Sequence, residues 1–464
     1  MRNKLFLNWI IIASIIILFT CSATRHELFK STAFDLGIFD QAIYLISIGQ
    51  PPISSYLNFH ILGDHAAFIF YPLALLYKIY PSVYWLFAIQ AFALAIAALP
   101  LWYLSLQAGL KENQALAIGV SYLLYPLVFN VNLFDFHPEV ITVPLFLVAV
   151  LTARSNRIWW FCISIFVVLI CKAVLSLTVI AMGVWLLLFE KKRLYGTIAI
   201  ITGLLWLIIS TKIVIPFFGT EAASVERQLV KYSYLGSSFL EASKTLVLNP
   251  TIILENIFSL ANLAYLALLT IPLIWGLSFR SLKILIAAIP CLALNILADY
   301  SAQKDLIHQY SLPILPFLML TVISTLAAGK GWLKYKKAII LWSLITFLAL
   351  AKFTYFGGRY LNSIDNWQAT KQAIALVTTK GSVYTTIQIS PHLSQRKLIQ
   401  VVHNNSSIID LKTFNYILLN VRHPGLGSST EICAKLVNQL KINQNFYLKY
   451  QQDDVYVFIK KIIS

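Results

Sequence analysis

Long runs of apolar residues, separated by short polar segments, make up most of the chain up to about residue 356. A helix needs about 20 mostly apolar residues to cross a bilayer. The pattern predicts eleven membrane spans, at residues 5–23, 82–107, 115–131, 138–153, 158–171, 173–189, 195–217, 255–279, 283–299, 308–328 and 338–356. A further apolar stretch at 65–80 is interrupted by Pro72 and carries Lys78, so we expect it to lie along the membrane interface.

The composition leaves one broad class of protein. Of the 464 residues, 59% are hydrophobic and 12% are charged, and the mean hydropathy is +0.75. Soluble domains average about 45–50% apolar and about 25% charged residues. A soluble globule, a disordered chain and a small disulfide scaffold are therefore excluded, and a polytopic helical membrane protein remains. The five cysteines show no metal-binding spacing and no obvious disulfide pair.

The net charge of +17 comes mostly from Lys and Arg at the ends of apolar runs, which does not indicate a nucleic-acid partner. If the N-terminus is cytoplasmic, every short basic loop falls on the cytoplasmic side, as the positive-inside rule requires. If 65–80 were a span, this agreement would invert from Lys111 onward. The acidic residues fall on the opposite side, among them Asp35, Asp64, Asp135, Glu221 and Glu226. We therefore expect a cytoplasmic N-terminus and an external C-terminus.

The composition changes near residue 356. Residues 1–356 form the predicted transmembrane domain, whose outer loops at 24–81 and 218–254 are too long to be simple connectors. Residues 357–464 have a soluble composition and predict a small external α/β domain. Its predicted elements are helices near 363–379 and 429–442, β-rich segments at 382–389, 398–402 and 414–421, and an alternating pair that ends at 455–459.

Ionisable residues at membrane level are costly, so they indicate function. In the predicted topology, five polar clusters meet at the outer face. They are Asp35 with Asp40; Asn58, His60, Asp64 and His65; Asp135, His137 and Glu139; Lys172; and Asp299, Lys304, Asp305, His308, Gln309 and Tyr310. Carboxylates and imidazoles from separate loops can build a metal site or an acid–base site.

Each cluster also has a purely structural interpretation. An aspartate can cap a helix, and Glu139 is a natural first-turn residue of the fourth span. Lys172 can extend its ammonium to the interface instead of binding an anionic group. His392, His403 and His423 are scattered along the external domain, and a lone histidine is more often a surface or core residue than a ligand. The residues alone leave these alternatives open.

A resemblance rests on the order of six segments. They are FDLGIFDQAIY, NFHILGDH, NLFDFHPE, the lone Cys-Lys before the sixth span, HQYSLPILPFL and SPHLSQR. In this order they resemble the prokaryotic membrane family called domain of unknown function 2079, over nearly the whole chain. That family is similar to the C-type glycosyltransferase superfamily, whose members include protein mannosyltransferases and the lipid A aminoarabinose transferase.

The resemblance implies a membrane enzyme that moves a sugar from a polyprenyl-phosphate donor to an envelope acceptor. The reaction would take place at the outer leaflet of a prokaryotic plasma membrane. Superfamily members place an essential acidic residue in the first outer loop, a place that Asp35 matches best and Asp40 second. This carboxylate would act as general base on the acceptor hydroxyl or position it. The implied partners are membrane lipids and the polyprenyl-phosphate sugar, without nucleic acid.

The resemblance assigns the other candidates to the donor. Lys172, His65, Gln309 and Tyr310 would bind its phosphate. A divalent metal ion, with Mg, Mn and Zn not distinguished, is the only cofactor implied. Its candidate ligands are Asp64, His65, Asp135, His137 and Glu139.

One position departs from the family pattern. The family tends to continue the lysine with an acidic pair, whereas this chain has Ala173 and Val174 after Lys172. Either the pair is peripheral, or the chemistry is altered, or this chain binds its ligand without turnover. Two other functions stay open: a lipid or solute transporter (flippase), which predicts ionisable residues in the middle of several spans, and a non-catalytic lipid-binding protein.

Overall fold

The computed structural model describes residues 2–220, 229–404 and 409–461. Glu221 and Glu226, predicted to be external, lie outside the described residues. The chain forms two compact units that alternate along the sequence. Unit 1 comprises the residues up to Thr20, Leu62–Ile69 and Leu86–Lys352; unit 2 comprises Cys21–Ile61, Phe70–Trp85 and the residues from Phe353 onward. The domain boundary predicted at residue 356 stays a prediction.

The predicted spans correspond to apolar helices. Among the described residues, six helices are long and apolar enough to cross a membrane: Arg2–Glu27, Tyr84–Gln107, Glu112–Asn132, Arg193–Phe218, Phe279–Leu297 and Ser301–Ala327. Two bent pairs make eight if each pair is one span: Thr251–Ile257 with Leu260–Gly276, and Lys336–Leu350 with Lys352–Leu361. The three remaining predicted spans coincide with the shorter helices Glu139–Arg154, Ile158–Cys171 and Leu175–Leu188. The polytopic helical class is confirmed.

Many long spans consist of consecutive helical segments, and prolines begin several of them. Proline suits the first turn of a helix because the amide hydrogen that it lacks has no partner there. The α-helical segments are Tyr84–Ile96, Ala98–Gln107, Glu112–Leu123, Pro126–Asn132, Arg193–Ile209, Ile215–Phe218, Phe239–Leu248, Pro250–Ile257, Leu260–Thr270, Ile289–Leu297, Leu315–Ala327 and Lys336–Leu350. A π-helical turn spans Ser210–Val214, and 3₁₀ segments span Val230–Leu235, Ile271–Gly276, Phe279–Ala288, Ser301–Lys304 and Gln309–Ile314.

Unit 2 contains a mixed five-stranded sheet. Its strands, in spatial order, are Ile399–Val401, Val383–Thr385, Tyr416–Asn420, Val455–Lys460 and Phe446–Gln452. The first three are parallel and the last two are antiparallel to their neighbours. Alternate residues point to opposite faces, so helix Trp367–Ala375 packs on one face and helix Thr430–Ile442 on the other. The small α/β domain predicted at the C-terminus is confirmed.

Unit 2 also contains short elements from the first third of the chain. They are the π-helical turn Ala33–Gly37, the helices Ile38–Ser47 and Phe70–Ile79, and the hairpin Ile53–Ser54 with Phe59–His60. Helix Phe70–Ile79 has 10 residues, a length of about 15 Å. That is about half the thickness of a bilayer core, which agrees with the prediction that 65–80 does not span.

Candidate functional site

Lys172 and Glu139 form a buried ion pair in unit 1. Lys172 lies at the break between helices Ile158–Cys171 and Leu175–Leu188, and Glu139 opens helix Glu139–Arg154. The lysine Nζ donates to Oε1 of Glu139 over 2.7 Å, and the two side chains are 12% and 6% exposed. Oε2 of Glu139 is buried and has no hydrogen-bond partner among the described residues. This lysine therefore does not extend into solvent as a surface residue would.

The segment Gly63-Asp64-His65, called the GDH segment below, is attached to the same helix break. The Ala173 amide donates to the His65 carbonyl over 2.9 Å, and the Ile69 amide donates to the Ile170 carbonyl over 3.1 Å. Ala173 also packs in an apolar cluster with Leu62 and Ala66. Ala173, where the resemblance led us to expect an acidic residue, is thus used for apolar packing in this chain.

Close backbone packing explains the glycine of the GDH segment. A Cβ added to Gly63 would stand 2.5 Å from the Gly219 Cα and 2.6 Å from its amide nitrogen. Both distances are far shorter than a van der Waals contact. Only glycine permits this approach, which places the short helix Leu62–His65 beside the helix that ends at Phe218.

His65 is part-buried near several charged groups of unit 1. Its Nε2 lies 3.2 Å from Oδ2 of Asp64. The pKa of His65 is lowered to about 4, mainly by burial and also by the positive charges of Lys172 and Lys231, while Asp64 and Glu139 oppose the shift. His65 is therefore neutral at pH 7 and can accept or donate a hydrogen bond. The same interactions place two lysines within electrostatic range of one imidazole.

Lys231 is a site residue that the motif analysis did not single out. Its ammonium lies 5.3 Å from the Tyr300 ring centroid and 5.1 Å from that of Tyr310, both within cation–π range. The Gln309 side chain is buried, and its Oε1 has no partner among the described residues. The predicted phosphate ligands Gln309 and Tyr310 therefore lie in one segment, whose tyrosine contacts a lysine.

Two histidines of unit 1 contact the same phenylalanine. Phe134 stacks on His137 with 5.3 Å between ring centroids and meets His308 edge to face at 4.6 Å. His137 Nδ1 lies 2.8 Å from the backbone carbonyl of Asp135, and His308 Nδ1 lies 2.7 Å from Oδ2 of Asp305. The FDFHPE segment and the segment that precedes the tenth predicted span thus meet through aromatic contacts.

The five candidate metal ligands do not form a three-ligand cluster. In the described ranges, no group of three or more His, Cys, Asp or Glu side chains is arranged to hold a metal ion. Glu139 is paired with Lys172, and Asp64 is paired with His65. The use of a divalent metal stays a prediction.

Asp35 and Asp40 belong to unit 2, and their surroundings differ. Asp35 is part-buried in the π-helical turn Ala33–Gly37, a rare conformation that is frequent at functional sites. Asp40 is 1% exposed and accepts hydrogen bonds from Tyr77 (2.6 Å), Ser394 (2.5 Å) and Gln395 (3.2 Å). Burial raises the pKa of Asp40, while these three donors oppose the shift. Asp40 therefore connects three segments of unit 2.

The chain also matches a known protein family. The family model described as "Predicted membrane protein (DUF2079)" matches residues 25–457. The chain belongs to the DUF2079 family. The resemblance inferred from the six segments is thereby confirmed for this DUF2079 protein.

Two crystal structures of ArnT from Cupriavidus metallidurans are similar to the DUF2079 protein. The apo structure shares 11% identity with a TM-score of 0.58, covering 99% of this chain and 98% of that one. The structure bound to undecaprenyl phosphate shares 11% identity with a TM-score of 0.52, covering 97% and 98%. These likenesses show a C-type glycosyltransferase fold. No curated protein sequence matches the chain.

Proposed function

We propose that this DUF2079 protein is a membrane glycosyltransferase that moves a sugar from a polyprenyl-phosphate donor to an acceptor in the cell envelope. The observation that carries the proposal is the fold similarity to ArnT over nearly the full length of both chains. ArnT has also been crystallised with undecaprenyl phosphate, a lipid of the proposed donor class. The buried ion pair of Lys172 and Glu139 and the carboxylates of the first loop supply groups suited to such a reaction.

Lys172 is the proposed ligand of the donor phosphate. When the bond between the sugar and the phosphate breaks, negative charge grows on the departing polyprenyl phosphate. A fixed ammonium in a site with little water stabilises that charge strongly. Glu139 would hold this ammonium in place through the 2.7 Å hydrogen bond. Lys231, with its two tyrosine contacts, would add a second positive charge.

Asp35 is the proposed general base. Its carboxylate would take the proton of an acceptor hydroxyl while that oxygen forms a bond to the anomeric carbon of the sugar, and polyprenyl phosphate leaves. Asp40 suits this task less well because it already accepts three hydrogen bonds from the protein. We therefore assign Asp40 to holding the first loop in shape. No step of the proposed reaction requires a metal ion.

Native mass spectrometry of the purified protein in nanodiscs can test the donor half of the proposal. We expect undecaprenyl phosphate to bind the wild type and to bind Lys172→Met at least tenfold more weakly, because a charge-assisted hydrogen bond is lost. Lys334→Met removes an exposed lysine of the same unit and serves as control. Equal binding by Lys172→Met and the control would refute the role of Lys172.

A further inference from the structure

Unit 2 contains a polar cavity to which the roles proposed for Lys172 and Asp35 assign no ligand. Its volume is about 430 Å³, within the range of small-molecule sites. Its lining includes His26, Tyr84, Lys380, His392 and Arg396. Tyr84 opens one candidate span and His26 lies in the last turn of another. The cavity is therefore formed where two candidate spans have their polar ends.

Two cations of this cavity have no carboxylate partner. Arg396 is 3% exposed, and its Nε and Nη1 donate to backbone carbonyls of Leu393 and Gly381. Its Nη2 makes no hydrogen bond with any described residue, and no described carboxylate lies within ion-pair distance of Arg396 or Lys380. Burial lowers the pKa of Lys380, and the charge of Arg396 lowers it further. A buried cation such as Arg396 is costly unless an anion compensates it. Lys380 is exposed and lines the same cavity.

The two carboxylates in the lining, Glu27 and Asp40, do not neutralise these cations by direct contact. Glu27 is paired with Lys371. Asp40 lies near enough to raise the pKa of Lys380. Its two oxygens, however, accept hydrogen bonds from Tyr77, Ser394 and Gln395. Lysine and arginine together are typical of phosphate recognition, since both donate charge-assisted hydrogen bonds.

The rest of the cavity wall suits a ligand with hydroxyl groups and ring faces. Ser82, Thr378 and Thr379 contribute hydroxyl groups or backbone atoms to the lining. The rings of His26 and His392 stack with their centroids 3.8 Å apart. Nε2 of His392 is buried and has no hydrogen-bond partner among the described residues. Such a wall offers hydrogen bonds and flat surfaces at the same time.

We propose that this cavity binds a phosphorylated saccharide, either free in solution or as the headgroup of a lipid. The phosphate would lie against Lys380 and Arg396, and the hydroxyl groups would meet the polar wall that includes His392. In the context of the proposed glycosyltransferase, on which this assignment rests, the ligand would be the acceptor or part of it.

Isothermal titration of the full-length protein in phosphatidylcholine nanodiscs tests the proposal. We expect glucose 1-phosphate to bind, glucose and inorganic phosphate to bind more weakly, and Lys380→Gln to weaken glucose 1-phosphate at least tenfold. Lys449→Gln, an exposed lysine of the same unit, is the matched control. Ser82→Trp should reduce binding by filling the cavity without changing its charge.

The two sources of the ligand are separated by adding phosphatidylinositol, a lipid whose headgroup joins a phosphate to a polyhydroxylated ring, to the nanodiscs. Competition between that lipid and glucose 1-phosphate would assign the cavity to a lipid headgroup. A lack of competition would assign the cavity to a free sugar phosphate. Unchanged affinity in Lys380→Gln, or equal affinity for glucose, would overturn the proposal. Because no polyprenyl donor is present, this binding is measured independently of sugar transfer, so failure of the proposed transferase activity is recognised separately by the donor-binding experiment.

Discussion

At the scale of single residues, the contact with Glu139 decides between the two interpretations of Lys172. The sequence left Lys172 either as a lysine extended to the interface or as a phosphate ligand. Its 12% exposure and its 2.7 Å bond to Glu139 favour a fixed, internal charge. The pairing could not be predicted because the two residues are 33 positions apart and lie on different helices.

Glu139→Gln should destabilise the protein because it leaves the Lys172 ammonium buried without a counter-charge. Breaking a buried pair in this way costs about 3–5 kcal/mol. Thermal unfolding in detergent should show a clearly lower melting temperature than the wild type. Glu431→Gln, which breaks an exposed pair with Lys435, should leave the melting temperature unchanged. Equal melting temperatures for both variants would contradict a buried, strongly coupled pair.

His392 should make the stability of the protein sensitive to acid. Burial lowers its pKa to about 4, whereas an unfolded histidine titrates near about 6.5. Between these values the unfolded state binds a proton that the folded state excludes, so stability falls as the pH falls. We expect His392→Gln to lose less stability than the wild type between pH 6.5 and pH 4, measured by thermal unfolding. Parallel pH profiles would show that this histidine is not buried as a neutral group.

At the scale of helices and strands, most of the architecture was predictable from the sequence. Each of the eleven spans predicted from the length of an apolar run coincides with a helix or a bent helix pair. Alternation and turn residues located the strands of the C-terminal sheet to within a few residues. The π-helical turn at Ala33–Gly37 was not predictable, because inserting one residue into a helical turn leaves no pattern in hydrophobicity.

Gly63→Ala should disturb the attachment of the GDH segment. The added methyl group would meet the Gly219 backbone at 2.5 Å, and backbone atoms cannot move aside as a flexible side chain can. Overpacking of this kind costs about 1–3 kcal/mol. Gly357→Ala is the matched control, since nothing lies within 4 Å of its added Cβ. We expect a lower melting temperature and weaker undecaprenyl phosphate binding in Gly63→Ala alone; a melting temperature like that of the control would argue against this packing.

At the scale of the whole molecule, the two units alternate along the chain, and this arrangement was not visible in the sequence. Composition suggests one boundary near residue 356, whereas unit 2 also includes Cys21–Ile61 and Phe70–Trp85. Composition reports what each segment contacts on average, namely lipid, protein or water. It does not report which distant segments pack together, so the contacts of Asp40 with residues near 394 could not be inferred.

The proposed orientation has a cytoplasmic N-terminus and an external C-terminal domain. In a variant with the native cysteines replaced, Lys449→Cys should react with a membrane-impermeant maleimide in intact cells. Lys334→Cys lies in a basic loop and should react only after lysis; both positions are exposed in the structure. The reverse labelling pattern would invert the proposed topology.

Sugar transfer itself is tested most directly by mass spectrometry of envelope glycans and polyprenyl-phosphate sugars in a deletion strain. The strain is complemented with the wild type, Asp35→Asn, or the control Asp453→Asn at matched expression. Asp453 is exposed with a φ of 47°, a conformation that asparagine also accepts. We expect the deletion strain to lose a glycan and to accumulate a lipid-linked sugar. The wild type and Asp453→Asn should restore the profile, whereas Asp35→Asn should not. Restoration by Asp35→Asn would contradict its role as the base, and an unchanged profile on deletion would contradict glycosyl transfer.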